Sequence, residues 1–314
     1  MEIVRNFKDL NKDDASVAGG KGASLGEMTR AGIPVPEGFV ILSSAFDKFL
    51  RETDLIQEID TVLHTVDHKA IHTVESASEK IRGLIEGRGI PEEISMEIEK
   101  QFNSLNTHFV AVRSSATAED GAEHAWAGQL ESFLNTTDKN LLENVRKCWS
   151  SLFTSRAIFY RFEKGLHGTD ISVAVVVQKM VQSEVSGIAF SVHPITEDRN
   201  QLIIEAGFGL GEAIVSGSIT PDSYVIEKEL KRIIDKNIAD QKKEIVRSDS
   251  GNDWVMVDKE KRELQKLSDT KILELSDLVI KIEKHYNFPC DIEWALERNR
   301  FYIVQSRPIT TLKK

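Results

Sequence analysis

The sequence predicts an α+β protein, in which helices gather early in the chain and antiparallel strands follow. Three observations carry this. From Ser44 to about Asp67, and again through VESASEKIRGLIEGRG and PEEISMEIEKQFNSL, apolar residues recur near every 3.6 positions, as on a half-buried helix. At HFVAVRSS the period changes, and from DISVAVVVQKMV onward runs rich in Val and Ile are bounded by Gly- and Pro-containing turns. No repeating strand, helix, strand pattern of the parallel kind appears, and segregated helices and strands point to α+β architecture.

Taken in order, VAGGKGASLGEMTRAGIPVPEGFVI opens the chain with a Gly-rich segment, a helix from Ala23 to Ala31, and an extended turn set by Pro34 and Pro36. A strand over Gly38 to Leu42 and the helices named above follow. HFVAVRSSATAED is a short buried strand, Phe109 to Arg113, that runs into a Ser/Thr loop. AWAGQLESFLN is a second strand, and NLLENVRKCWSSLFTSRAIFYRFEKG reads as one long amphipathic helix. After the Val-rich strand come VSGIAFSVHP and NQLIIEAGFGLGEAIVSGSITPDSYVIEK, further strands joined by glycine turns. The mixed-charge block Lys228 to Lys271 reads as surface strands and loop, DTKILELSDLVIKIEKHYN as a helix, and CDIEWALERNRFYIVQSRP as a closing hairpin. Two lobes are expected, residues 1–190 and 191–314, with a cleft between them.

Composition bounds the function. With 314 residues, 40% apolar and 29% charged, the chain is an ordinary globular protein large enough for two cores. A net charge of −10 argues against general nucleic-acid binding, whose affinity comes from neutralising phosphates. The two cysteines, Cys148 and Cys290, are far apart and outside CxxC spacing, which predicts buried thiols rather than a disulfide framework or a zinc site. The N-terminus lacks a signal-peptide core and no run of 18 apolar residues occurs, so a cytoplasmic protein that engages no membrane is expected.

Several short motifs each admit a functional and a structural reading. Gly19-Gly20-Lys21-Gly22 resembles a phosphate loop, because glycines let backbone N–H groups approach an anion and Lys21 adds a charge. Gly22 stands where a Walker A loop needs Ser or Thr, and a plain turn into the helix explains the same residues. Gly207-Phe208-Gly209-Leu210-Gly211 falls one residue short of the dinucleotide fingerprint. Arg113 ends a buried strand and needs an anion, either a ligand or an internal carboxylate. Gly128 and Gln129 offer a backbone anion contact or a strand bulge. Gln178, Lys179, Met180 and Val181 close the Val-rich strand, where backbone groups beside Met180 suit an adenine edge or simply a core strand end. His124 and His193 have no partners at metal spacing.

In the closing hairpin Asp291, Glu293, Gln305 and Arg307 alternate with apolar residues. A three-residue loop, Arg298-Asn299-Arg300, would set Glu293 against Gln305 and Asp291 against Arg307 on one face, with Asn299 or Arg300 at positive φ. Two- or four-residue loops would put the pairs on opposite faces. A solvated polar face is the bland reading. The sharper one is a cation site, since carboxylate and amide oxygens suit Mg²⁺ or Mn²⁺ and Arg307 suits a neighbouring phosphate.

Together, in order, GGKGASLGEM, VRSSATAED, AGQLESFLN, QKMV, GLGE…VSGSITPD and DIEWAL…YIVQSRP resemble the N-terminal nucleotide-binding domain of the family of phosphoenolpyruvate synthase, pyruvate phosphate dikinase and rifampin phosphotransferase, over about residues 10–310. The resemblance implies an ATP-grasp fold holding ATP and Mg²⁺ between two lobes. It makes Lys21 and Arg113 phosphate-contacting cations, and Gln178 to Val181 the adenine-facing linker. It makes Glu293 and Gln305 the metal ligands, with Asp291 in support and Arg307 on the phosphates. Lys21, Arg113 and Arg307 would then carry the catalysis by neutralising and positioning charge.

One departure matters. Full-length members carry a phosphocarrier histidine in a Thr-Ser-His context, and none of the eight histidines here has that setting. The expectation is therefore the ATP half-reaction alone, served by a His-carrying domain or subunit. In that family ATP yields AMP, phosphate and a phosphorylated acceptor such as pyruvate, a phenol or an antibiotic. A non-catalytic nucleotide-binding module, and a piece of a longer synthase, are the rival readings.

Overall fold

A computed structural model describes residues 1–117, 131–166, 172–248 and 251–312. The chain divides into two compact units, Met1–Glu27 with Glu37–Met180, and Met28–Pro36 with Val181–Lys314. Every paired strand in both is antiparallel, and helices are segregated from strands along much of the chain, as an α+β protein requires.

In the first unit β1 (Val4–Asn6), β2 (Gly38–Ile41), β3 (Val110–Ala116), β4 (Ser132–Thr136) and β5 (Val173–Lys179) form a sheet in the order β1-β2-β5-β3-β4. Helix α1 (Ala15–Arg30) begins the chain's helices; α2 (Ser43–Glu52), α3 (Leu55–Leu63), α4 (Ile71–Gly87) and α5 (Glu92–Ser104) follow. The long helix expected after β4 is instead two, α6 (Leu141–Ser150) and α7 (Ser155–Glu163), separated by a 3₁₀ turn over Ser151–Phe153. Thr154 accounts for the break, because its side chain accepts a hydrogen bond from the Ala157 amide and caps the second helix.

One face of this sheet, with Phe39, Ile41, Val110, Val112, Val173, Val175 and Val177, shares a core with Phe46, Phe49, Ile81, Ile85, Ile98 and Trp149 from the helices. Phe49 stacks on Trp149 with ring centroids 4.9 Å apart. The opposite face carries Val40, Arg113, Ser115, Val176 and Gln178. Because β5 is buried on both sides, its sequence reads as a continuous apolar run rather than an alternation.

The second unit is built on β6 (Val185–Phe190), β7 (Gln201–Phe208), β8 (Asp222–Glu227), β9 (Arg232–Asn237), β12 (Cys290–Glu297) and β13 (Arg300–Pro308), in the order β13-β12-β6-β7-β8-β9. The strand Val185–Phe190, placed by the sequence reading with residues 1–190, pairs with β7 and β12 and so belongs to this sheet. A separate ribbon joins β10 (Lys243–Ser248) to β11 (Gly251–Met256), next to the one-turn helix α8 (Glu212–Val215). Helix α9 (Asp269–Tyr286) buries Ile272, Leu275, Val279 and Ile282 against the strands.

A buried ionic knot ties this unit together. Lys266 Nζ lies 2.9 Å from Asp222 Oδ1, with both side chains fully buried. Asp222 also accepts from the Ala239 amide at 2.9 Å, the Lys266 amide at 2.9 Å and the Tyr224 hydroxyl at 2.6 Å. Among the described residues no helix is long and apolar enough to cross a membrane.

Candidate functional site

The hairpin β12–β13 brings together the four polar residues that its sequence singled out, by a different route from the expected one. Its loop has two residues, Arg298 and Asn299, because Glu297 pairs with Arg300. Both loop residues have positive φ, 49° and 64°, the pattern of the tight turn that matches strand twist. In a regular ladder this loop would turn Gln305 and Arg307 toward the apolar face that carries Phe301 and Ile303. A β-bulge prevents it: Trp294 pairs with Ile303 but Glu293 pairs with Gln305, so Val304 is an extra residue. From the bulge onward every side chain of β13 changes face. The three-residue loop of the sequence reading is thus corrected, while the pairs Glu293/Gln305 and Asp291/Arg307 stand.

On this face Asp291 grips Arg307, whose Nε and a terminal nitrogen donate to one carboxylate oxygen at 2.9 and 2.7 Å. The Asp291 side chain is 14% exposed and Arg307 48%, so the pair anchors a guanidinium that still faces outward. Gln305 is buried to 8% beside Glu293. The opposite face is apolar: Trp294 packs edge-on against Phe301 with centroids 5.6 Å apart.

In the first unit, the Gly-rich segment lies inside α1, which starts eight residues before the expected Ala23 and is kinked at Gly19. Gly19 has φ 67°, and a Cβ there would sit 2.2 Å from Ser115 Oγ, so only glycine allows this contact with β3. Past the kink the Gly22 amide donates to Ser115 Oγ at 3.4 Å. Lys21 therefore sits on the helix just where it docks on the strand that carries Arg113.

Arg113 is 9% exposed and faces the same side as Ser115. It pairs with Val176 while Ala111 pairs with Gln178, which makes Arg113 and Gln178 diagonal neighbours on one face. Gln178 is 2% exposed, and its Nε2 has no hydrogen-bond partner among the described residues. Further along, the Lys179 amide donates to Glu37 O at 2.8 Å and the Met180 amide to Phe109 O at 3.0 Å. Lys179 Nζ pairs with Glu37 at 2.5 Å, and Val181 is buried at the start of the second unit's main segment. Gly128 and Gln129, with His124, lie outside the described residues.

Other motifs resolve into structure. The turn after β7 uses its own polar groups: Ser183 and Ser186 hydroxyls donate to Gly209 O at 2.9 and 2.7 Å, and the Leu210 amide donates to Ile245 O at 2.8 Å. His193 Nδ1 accepts from the Ile195 and Thr196 amides at 3.3 and 3.2 Å and staples its own loop. Burial pushes the Cys148 and Cys290 thiols up to about 12, which leaves them unreactive.

Sequence reasoning passed over one residue. Glu205 of β7 pairs with Ile188, and Ile188 pairs with Glu293, so Glu205 shares a face and a row with Glu293 and Gln305. Its carboxyl is raised above its ordinary value, by burial first and then by the charge of Asp291. The available signal was a single charge inside the apolar strand LIIEAGF. Among the described residues no three acidic, His or Cys side chains are placed to hold a metal. A cation on Glu293 and Gln305 would need oxygens from a ligand or water, as Mg²⁺ commonly does.

Residues 15–314 match the protein family described as pyruvate phosphate dikinase, AMP/ATP-binding domain. Among named relatives, a probable phosphoenolpyruvate synthase of Methanocaldococcus jannaschii is 44% identical over 100% of this chain and 27% of its own length. One of Archaeoglobus fulgidus is 45% identical over 98% of this chain and 41% of its own. The rifampicin phosphotransferase of Bacillus subtilis is 39% identical over 99% of this chain and 36% of its own. The chain thus spans less than half the length of each of these relatives.

Proposed function

We propose, for a chain that belongs to the family of pyruvate phosphate dikinase AMP/ATP-binding domains, that it binds Mg-ATP and carries out the ATP half of a dikinase-type phosphotransfer. The observation that carries this reading is the bulged hairpin, which sets the rows Glu293/Gln305 and Asp291/Arg307 side by side on one face. Glu293 and Gln305 hold Mg²⁺ through a carboxylate and an amide oxygen, and the cation supplies charge neutralisation at the phosphates. Asp291 fixes the plane of the Arg307 guanidinium, which reaches a phosphate oxygen.

In the ATP-grasp reading further groups of the chain take part in holding the nucleotide. Lys21 and Arg113 neutralise phosphate charge, Gly128 and Gln129 add a backbone contact, and Gln178 to Val181 meet the adenine side. The amides of Lys179 and Met180 are committed within their sheet. Adenine recognition therefore falls to carbonyls and side chains, for which the Gln178 side-chain amide, whose Nε2 has no partner among the described residues, is the first candidate. Phosphoryl transfer asks a protein chiefly for such positioning and charge, and little covalent chemistry.

The pyrophosphoryl group of ATP passes to a histidine on a separate domain or subunit with AMP as the leaving group. Water then takes the terminal phosphoryl group as phosphate, and the phosphoryl group left on the histidine passes to a small-molecule acceptor, pyruvate in the first instance. Relatives named for a phosphoenolpyruvate synthase and for a rifampicin phosphotransferase match the same stretch of this chain. The acceptor is accordingly read elsewhere, and a phenol or an antibiotic fits these residues equally well. Calorimetry with ATP and Mg²⁺, followed by an assay for AMP with a His-carrying partner domain added, tests the proposal. Tight Mg-dependent ATP binding with AMP formation is expected, and Glu293→Ala or Arg307→Ala abolishes AMP formation. Absence of ATP binding by the intact chain would refute it.

A further inference from the structure

The row Gln305, Glu293, Ile188, Glu205 crosses four neighbouring strands on one face of the second sheet. Resting on the reading of this domain as an ATP binder, we infer that Glu205 is the acceptor for the ribose hydroxyls of the bound nucleotide.

Glu205 is only partly exposed, and among the described residues its carboxylate has no hydrogen-bond donor and no cation. Its nearest charged influence is a like charge, Asp291, one row away. A half-buried carboxylate in such a setting destabilises the free protein unless something supplies donors. The other strand residues of β7 give it no structural task, since Leu202, Ile204 and Ala206 fill the core on the opposite face.

The chemistry of the ligand narrows what those donors are. Phosphate oxygens only accept hydrogen bonds, so Mg-ATP offers a carboxylate its metal, its adenine amino group or its two ribose hydroxyls. A metal shared with Glu205 is disfavoured, because Asp291 is committed to Arg307 and the acidic groups are too far apart to form a three-ligand cage. Two strand spacings separate Glu205 from Glu293, about 10 Å. That span suits a nucleotide whose phosphates lie at Glu293 and whose sugar lies over Ile188, whereas the adenine amino group is the most distant part of the molecule. Vicinal hydroxyls also match the paired oxygens of a carboxylate.

Calorimetric titration of the wild type, Glu205→Gln and Glu205→Ala with the magnesium salts of ATP, 2′-deoxyATP and 3′-deoxyATP tests this. The wild type should bind at least one deoxy analogue about tenfold or more weakly than ATP, the scale of a hydrogen bond to a charged group. Glu205→Ala should bind all three nucleotides alike, and Glu205→Gln should lose most of the discrimination while retaining Mg-dependent ATP binding. Equal affinities in the wild type, or undiminished discrimination in Glu205→Ala, would overturn the inference while leaving the ATP reading intact. A wild type that binds none of the three would overturn both. Glu205→Gln keeps the side-chain shape, so it answers the question if the alanine variant folds poorly.

Discussion

Glu293 and Trp294 are consecutive, yet the structure assigns them to opposite faces, and replacing each with Ala separates function from stability within one peptide step. Trp294 is 1% exposed, lies edge-on to Phe301 at 5.6 Å, and packs so closely on Gly187 that a Cβ there would sit 2.8 Å from its ring. Truncating a buried Trp costs about 3–5 kcal/mol in transfer and cavity terms. Among the described residues its indole N–H is buried without an acceptor, so removing it offsets about 1 kcal/mol. The net expectation for Trp294→Ala is a loss of about 3 kcal/mol in urea unfolding followed by circular dichroism. Glu293→Ala should change stability by less than about 1 kcal/mol. It should instead remove the Mg-dependent part of ATP binding in calorimetry, which Trp294→Ala, while folded, should retain. If Glu293→Ala proved as destabilising as Trp294→Ala, or left Mg-dependent binding intact, the assignment of Glu293 to a polar, metal-holding face opposite Trp294 would be wrong.

Three further outcomes are expected. Gln178→Leu should raise stability by about 1 kcal/mol or more, because it removes a buried amide whose Nε2 has no partner among the described residues, while weakening ATP binding; thermal melts and calorimetry read the two effects. Lys266→Met strands the buried Asp222 charge and should cost about 3–5 kcal/mol in urea unfolding, most of it recovered when Asp222→Asn is added. The Glu205 carboxyl is raised in the folded protein, so the folded state holds that proton more tightly than the unfolded chain. Its stabilising contribution is full below the unfolded value and is lost as pH rises through the folded one. Nucleotide-free Glu205→Gln should therefore be more stable than wild type at neutral pH, with the difference shrinking on acidification.

Much of the candidate site was legible in the sequence because strand alternation has a period of two, which marks residues that share a face without any knowledge of the fold. Asp291 with Glu293, and Gln305 with Arg307, were each recognisable in this way. Arg113 was legible too, as a charge at the end of a run otherwise apolar. Glu205 was not, because one carboxylate in LIIEAGF acquires meaning only when β6 sets it in a row with Glu293. The break between α6 and α7 had a local signal, Thr154 as a cap, that the apolar period across it concealed.

The sequence by itself determined the class of elements, the buried Val-rich strand, and the set of polar groups that a metal and phosphates would need. Alternation relates residues within one strand and says nothing of how two strands register. That register was decided by the tertiary structure: a two-residue turn with both φ positive, and one extra residue, Val304, accommodated in the ladder. The physical reason is that Phe301 and Ile303 are drawn to the apolar core that holds Trp294, while Arg307, at the same parity, carries a charge that is costly to bury there and is 48% exposed. A bulge between Ile303 and Gln305 satisfies both demands, and with it the polar face gains Gln305 beside Glu293 and Arg307 beside Asp291.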